Sequence, residues 1–232
     1  MRLNRYLAAC GFGSRRKCET FILNGDVSVN GSFVDNLATQ VADGDDVRVN
    51  GRRAVLPTTT TLIALHKPRG YVTTREDELD RKCVYDLLPP HYRHLHYIGR
   101  LDKDSEGLLL FTNDGTLAQR TASPRHKIEK EYEVLLDKPV EADAIEKLLA
   151  GFHIEPGRAR MDKIRRLGPS RFHIVLTQGL KRQIRLMFYE LGYDVKRLKR
   201  IRIGSILLGT LCPKEWCLMP QKAAESLGGK FR

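Results

Sequence analysis

The sequence predicts an α+β protein built from two units, and three observations carry that prediction. Strand-like apolar runs mix with helix-like ones without the regular strand–helix–strand repeat of a parallel sheet. A short polar tract, Pro57-Thr-Thr-Thr-Thr61, has no apolar periodicity and reads as a linker. The 232 residues suffice for two modest domains, and 41% hydrophobic against 29% charged residues is the composition of a core-forming chain. The units are placed at residues 1–61, linker included, and 62–232.

In the leading unit, Leu3 and Leu7 stand four apart, which suits a short helix that Gly11 and Gly13 break. Ser14 is a good N-cap for a second helix, in which Cys18, Phe21 and Ile22 form the buried stripe. Arg15, Arg16 and Lys17 lie off that stripe, and Asn24-Gly25 supplies the stop. Val27 and Val29 alternate with polar residues, and Asn30-Gly31 is a strong hairpin signal. Asp43-Gly-Asp-Asp followed by Val47-Arg-Val49 gives another turn and strand. In the second unit, strand-like runs fall at Leu62–Leu65, Leu108–Phe111, Tyr132–Leu136 and Phe172–Leu176. The clearest helix follows Gly179, with Ile184, Met187, Phe188 and Leu191 on one face and Gly192 closing it.

Charge narrows the function. Forty Lys and Arg against 28 acids leave a formal +12, which favours a polyanionic partner because each neutralised phosphate releases a counterion. The excess is clustered: six basic residues and one acid lie between Pro156 and Arg171, and eight and two between Leu176 and Arg202. The reading is a basic track over the second unit, with a merely solvating face as the alternative. No run approaches the ~18–20 apolar residues of a membrane span, and no signal-peptide core opens the chain, so a cytoplasmic protein without membrane contact is expected. Five cysteines without a Cys-x-x-Cys pair read as reduced thiols.

The chain has no P-loop, no dinucleotide-type glycine fingerprint and no zinc-hydrolase or zinc-deaminase signature. His91-x-x-His94-x-His96 reads as a loop of solvated histidines, so neither metal nor cofactor is expected. A nucleic-acid protein that relies on side chains alone is limited to binding, hydrolysis, or rearrangement at a base or sugar. The candidate centre is Asp102, beside Gly99 and between a strand end at Tyr97-Ile98 and the apolar run Leu108–Phe111. A carboxylate held there can attack an anomeric carbon, as in retaining glycosidases; an ordinary turn is the alternative. Arg185, one residue past Ile184 at the edge of the helix's buried face, could pair with that carboxylate and keep it ionised. Tyr132 on an alternating strand could stack on a base, or simply fill core.

Together these residues resemble the RsuA-type pseudouridine synthases. The matching pieces are His66-Lys-Pro-Arg-Gly70, Gly99-Arg-Leu-Asp102 followed by Ser105-x-Gly107-Leu-Leu, Lys130-x-Tyr132, and Gln178-Gly-Leu-Lys-Arg-Gln-Ile-Arg185-x-Met, in the family's order. The first 60 residues are similar to an S4 RNA-binding domain, and the closest likeness within the family is to its F branch, which acts on 23S rRNA. The resemblance implies an S4-like domain followed by a catalytic domain on a mostly antiparallel mixed sheet. It implies isomerisation of a specific uridine in ribosomal RNA to pseudouridine, no cofactor, and a monomer, and leaves open whether tRNA is a further target. Asp102 would act at C1′, by addition or by assisting glycal formation; Arg185 would orient it and Tyr132 would pack on the target ring. Arg100 would fill the space left by the everted uridine, Arg182 would contact RNA, and Lys67 would form the cleft floor or contact RNA, with a structural role as the alternative. Arg2, Arg15, Arg16 and Lys17 would grip phosphates from the S4-like unit. The alternatives are a non-catalytic S4-type ribosome-assembly factor, which needs no Asp102–Tyr132–Arg185 trio, and an S4-linked methyltransferase, which would need an adenosylmethionine loop.

Overall fold

The structure, a computed structural model, describes residues 1–75, 77–155 and 157–228. The leading unit starts with helices α1 (Leu3–Ala9) and α2 (Arg15–Leu23). The Ser14 hydroxyl accepts from the Lys17 amide at 3.1 Å, so the second helix is capped as its sequence predicts. Strands β1 (Val27–Val29), β2 (Ser32–Phe33), β3 (Val47–Val49) and β4 (Arg52–Arg53) follow as an antiparallel sheet in the order β2-β1-β3-β4. Asn30 and Gly31 turn the first hairpin with φ of +50° and +85°, the left-handed pair such a two-residue turn requires. Leu3, Leu7, Cys18, Ile22, Val27 and Val47 bury completely between helices and sheet, and Arg15, Arg16 and Lys17 face solvent.

The second unit begins at β5 (Leu62–Lys67), then β6 (His96–Ile98), β7 (Glu106–Thr112), α3 (Gly115–Ala122), β8 (Lys130–Leu136) and α4 (Ala142–Ala150). A small hairpin, β9 (Phe152–Ile154) and β10 (Gly157–Ala159), leads to β11 (Lys163–Gly168), β12 (Arg171–Leu176) and α5 (Gln183–Glu190). The chain finishes with β13 (Val195–Ile203), β14 (Ile206–Leu207), β15 (Trp216–Leu218) and α6 (Gln221–Ser226). The large sheet runs β11-β12-β8-β13-β7-β5-β15, and its pairs are antiparallel except β13 with β7, so the expected mostly antiparallel mixed sheet and α+β class are borne out. No helix among the described residues is long and apolar enough to cross a membrane.

One irregularity of this sheet makes the site. On one edge β7 carries β5 along its length; on the other it has two partners in succession. Strand β13 pairs only with Glu106 and Gly107, and β6 takes over at Leu110–Thr112. The loop 99–105, joining β6 to β7, lies at this divergence. Close approach of β13 there depends on Gly107, at φ +107°: a Cβ on it would sit 2.2 Å from the Arg200 carbonyl oxygen.

Two expectations need correction. The helix expected directly after Gly179 begins at Gln183, because Arg182 takes a left-handed conformation at φ +56° and acts as the N-cap position. The stretch 195–203 is a strand, and its cations do not form a free basic track. Arg197 pairs with Glu106, Arg202 pairs with Glu129 and Glu131, and Arg200 is 3% exposed. Strand β11 exposes Arg165 and Arg166 on the sheet's edge without a carboxylate partner among the described residues, whereas its Lys163 pairs with Glu129.

Candidate active site

A cavity of about 500 Å³ opens at the divergence, in the size range of small-molecule sites. Loop 99–105, strands β8 and β13, and the turn 178–184 form its walls. Asp102, Tyr132, Arg100 and Arg182 all line it, so four of the predicted residues from three distant stretches converge. Asp102 is half-buried and is the one carboxylate among the described lining residues. Tyr132 is half-buried on β8, directly opposite Arg200 in register, with its ring against the core under α5. Arg100 and Arg182 are exposed at the cavity.

The loop carrying Asp102 is fixed from beneath. The Lys67 ammonium donates to the carbonyls of Pro68 at 3.1 Å, Asp102 at 3.0 Å and Ser105 at 2.7 Å. The Thr73 hydroxyl donates to the Leu101 carbonyl at 2.7 Å, and the Gly70 amide donates to the Lys103 carbonyl at 2.8 Å. Gly99 turns the chain into the loop at φ +67°. Of the alternatives for Lys67, the RNA contact is the one the structure corrects and the structural role the one it supports: the residue is fully buried and does not line the cavity. Its side chain is saturated by carbonyls, and their placement decides where Asp102 sits. Burial pushes its ammonium down to about 8, partly offset by the charge of Asp102.

Arg185 is half-buried next to this loop but forms no ion pair with Asp102. Its Nη2 donates to the Asp104 carbonyl at 3.1 Å and its Nη1 to the Val195 carbonyl at 2.8 Å. The guanidinium is thus tied to backbone on both sides, and it reaches Asp102 through the loop and through its field. Burial lowers its pKa first, then the neighbouring Arg182; Asp104 and Asp102 act in the opposite sense. The Nε has no partner.

Arg2, Arg15, Arg16 and Lys17 are exposed in the leading unit and stand apart from this cavity. The triplet His91, His94 and His96 forms no metal-holding group with its neighbours, and no group of three potential ligands occurs among the described residues.

Three residues escaped the sequence reading. Gln183 is buried and ties the turn 178–182 together, donating to Gln178 at 2.9 Å and to the Arg160 carbonyl at 3.0 Å. Lys130 lines the cavity with no side-chain hydrogen-bond partner among the described residues, and Arg200 lines it from β13. Arg200 had a legible signal: it stands two residues after Leu198, in the apolar phase of the strand.

An S4-like unit followed by a domain with a nucleoside-sized, cation-lined cavity defines the class of an RNA-modifying enzyme. The model of the RNA pseudouridylate synthase family matches residues 61–190, and that of the S4 domain matches residues 1–47. The chain is 39% identical over 219 residues to the dual-specificity RNA pseudouridine synthase RluF of Escherichia coli K12, covering 93% of this chain and 74% of that protein. It is 34% identical over 230 residues to an uncharacterized RNA pseudouridine synthase of Aquifex aeolicus, covering 98% and 96%. A crystal structure of a pseudouridylate synthase superposes with a TM-score of 0.72 at 28% identity, over 98% of this chain and 99% of that one. The chain belongs to the RNA pseudouridylate synthase family: it is an RNA-binding isomerase of uridine with an S4 domain at its N-terminus.

Proposed function

We propose that this protein isomerises a specific uridine of ribosomal RNA in the cytoplasm, in the large-subunit 23S RNA, with tRNA as a second substrate class. It acts as a monomer without a cofactor, its S4 unit spanning 1–61 and its catalytic unit 62–232. Asp102 acts at C1′ of the everted nucleoside, Tyr132 packs against the uracil, and Arg185 orients Asp102 by holding the Asp104 carbonyl. Arg100 occupies the place vacated in the RNA, and Arg182 meets the backbone at the cavity mouth. Arg2, Arg15, Arg16 and Lys17 hold RNA phosphates at a distance. Eversion costs a few kcal/mol, which these phosphate contacts offset.

The single observation that carries this reading is Asp102: one carboxylate, clamped by its backbone, in a nucleoside-sized cavity whose other charged lining residues are cations. The test maps pseudouridines across total RNA from cells with and without the gene. One or a few 23S positions, with or without a tRNA position, should disappear. An unchanged ribosomal map with loss confined to tRNA, or no loss at all, would overturn the target assignment.

A further inference from the structure

Six cations line the cavity, and burial divides them into two sets. Arg100, Lys103, Lys181 and Arg182 are exposed and suit phosphates. Lys130 is half-buried and Arg200 is buried, and neither has a carboxylate partner among the described residues. Arg200 donates from Nε to the Leu108 carbonyl at 2.7 Å and from Nη1 to the Arg100 carbonyl at 3.4 Å. Its Nη2 is buried and unpartnered. Withdrawing two positive charges from water without a counter-ion is costly, and a buried guanidinium N–H left without an acceptor adds to the cost.

An everted nucleotide keeps its phosphates at the mouth and presents its base to the interior. Uracil is neutral in the ground state, so two buried cations gain little from binding it. The balance changes when the glycosidic bond breaks. Whichever way Asp102 acts at C1′, the C1′–N1 electron pair leaves with the base, and uracil becomes an anion delocalised over N1, O2 and O4. It turns, C5 bonds to C1′, and the C5 proton is replaced by one on N1, so atoms and charge balance.

We propose that Lys130 and Arg200 form a cationic wall that stabilises the detached uracil anion and acts in the transition state rather than in RNA binding. This rests on the pseudouridine-forming reading of the cavity. Preorganised charge aimed at a developing anion in a water-poor site is a strong catalytic device, because it discriminates transition state from ground state. Tyr132 lies between them in the pairing: it is two residues from Lys130 on the same face of β8 and opposite Arg200 on β13. The two cations feel one another, for burial and then the Arg200 charge push the Lys130 ammonium down to about 8.

The experiment uses the full chain and a transcript spanning a uridine that the wild-type protein converts. Failure of the wild type on every ribosomal transcript removes the underlying reading, whereas the variants test the wall itself. Lys130→Met should lower the single-turnover rate at saturating RNA about 100-fold with the RNA dissociation constant within twofold. Lys130→Arg, which restores charge, should recover most of the rate. A second transcript carries 5-fluorouridine at the target, whose base leaves as a better-stabilised anion. The deficit of Lys130→Met in glycosidic-bond cleavage should shrink at least fivefold there. An equal deficit on both transcripts, a loss confined to RNA affinity, or no rescue by Lys130→Arg overturns the proposal. Arg200→Lys, assayed alongside with melting temperature as a folding check, should show the same pattern of preserved affinity and lost rate; lost affinity with preserved rate counts against the wall.

Discussion

The two units of this protein use positive charge in opposite ways. In the S4 unit, Arg15, Arg16 and Lys17 occupy the first turn of α2, stay in solvent and make no ion pair. In the catalytic unit the informative cations are withdrawn: Lys67 beneath the Asp102 loop, Arg200 between β13 and β7, Lys130 in the cavity. A solvated cation contributes a screened, interchangeable share of RNA affinity. A desolvated one has a fixed place among its neighbours, so its removal acts on geometry or chemistry rather than on affinity. Net charge therefore predicts the polyanionic partner but says nothing of which lysine or arginine matters to the reaction.

That contrast can be broken at several points, of which Asp102 should give the largest effect. Asp102→Asn or Asp102→Ala should abolish conversion while RNA binding stays within a few fold; pseudouridine formed by the Ala variant, read by mass spectrometry, would remove the residue from the chemistry. Lys67→Met comes next. It leaves buried carbonyls unsatisfied at ~1–3 kcal/mol each and frees a loop whose displacement by about 1 Å costs roughly 100-fold in rate. Single-turnover kinetics and thermal unfolding should both show the loss, with RNA affinity nearly unchanged.

The pH dependence is smaller and has a definite sign. Lys130 shares its cavity with Arg200 from β13, Tyr132 from its own strand, Arg100, Asp102 and Lys103 from the loop, and Lys181 and Arg182 from the turn before α5. With the ammonium brought down to about 8, its charge is present below that pH and lost above it. The rate at saturating RNA should decline as pH rises through about 8, and Lys130→Arg should flatten the decline. The smallest effect on the reaction belongs to the S4 unit. Replacing Arg15, Arg16 and Lys17 by Gln should weaken RNA binding and reduce the magnitude of its log–log salt slope by about 2, the single-strand value for three contacts. The rate at saturating RNA should stay within about twofold, and a large fall there would mean that the two units are catalytically coupled.

How far the sequence leads follows from how local each determinant is. Ser14, Asn24-Gly25 and Asn30-Gly31 act within a turn, and the helices and hairpin they punctuate form where expected. Leu62–Leu65 and Leu108–Phe111 are legible because strands buried on both faces read as unbroken apolar runs. Strand β13 hides behind its lysines and arginines, whose acceptors lie on β7 and β8, far away in sequence. Asp102, Tyr132 and Arg100 were legible through their motifs and do meet in one cavity. The role of Lys67 was not, because a lysine before a proline gives no hint that its ammonium will collect carbonyls from residues 102–105. For the same reason Arg185 was expected on the carboxylate itself, whereas two main-chain oxygens claim its guanidinium.

The linker between the units holds one more consequence. Asn113, just past β7, accepts from the Thr61 amide at 2.8 Å and donates to the Thr59 carbonyl at 2.9 Å, while Arg5 reaches Thr116 at 2.9 Å. The tract that looks like a loose tether is thus pinned at Thr59 and Thr61 to the residue that follows β7. Such a joint works as a caliper: it holds the exposed cations of the S4 unit at a set span from the cavity of the catalytic unit.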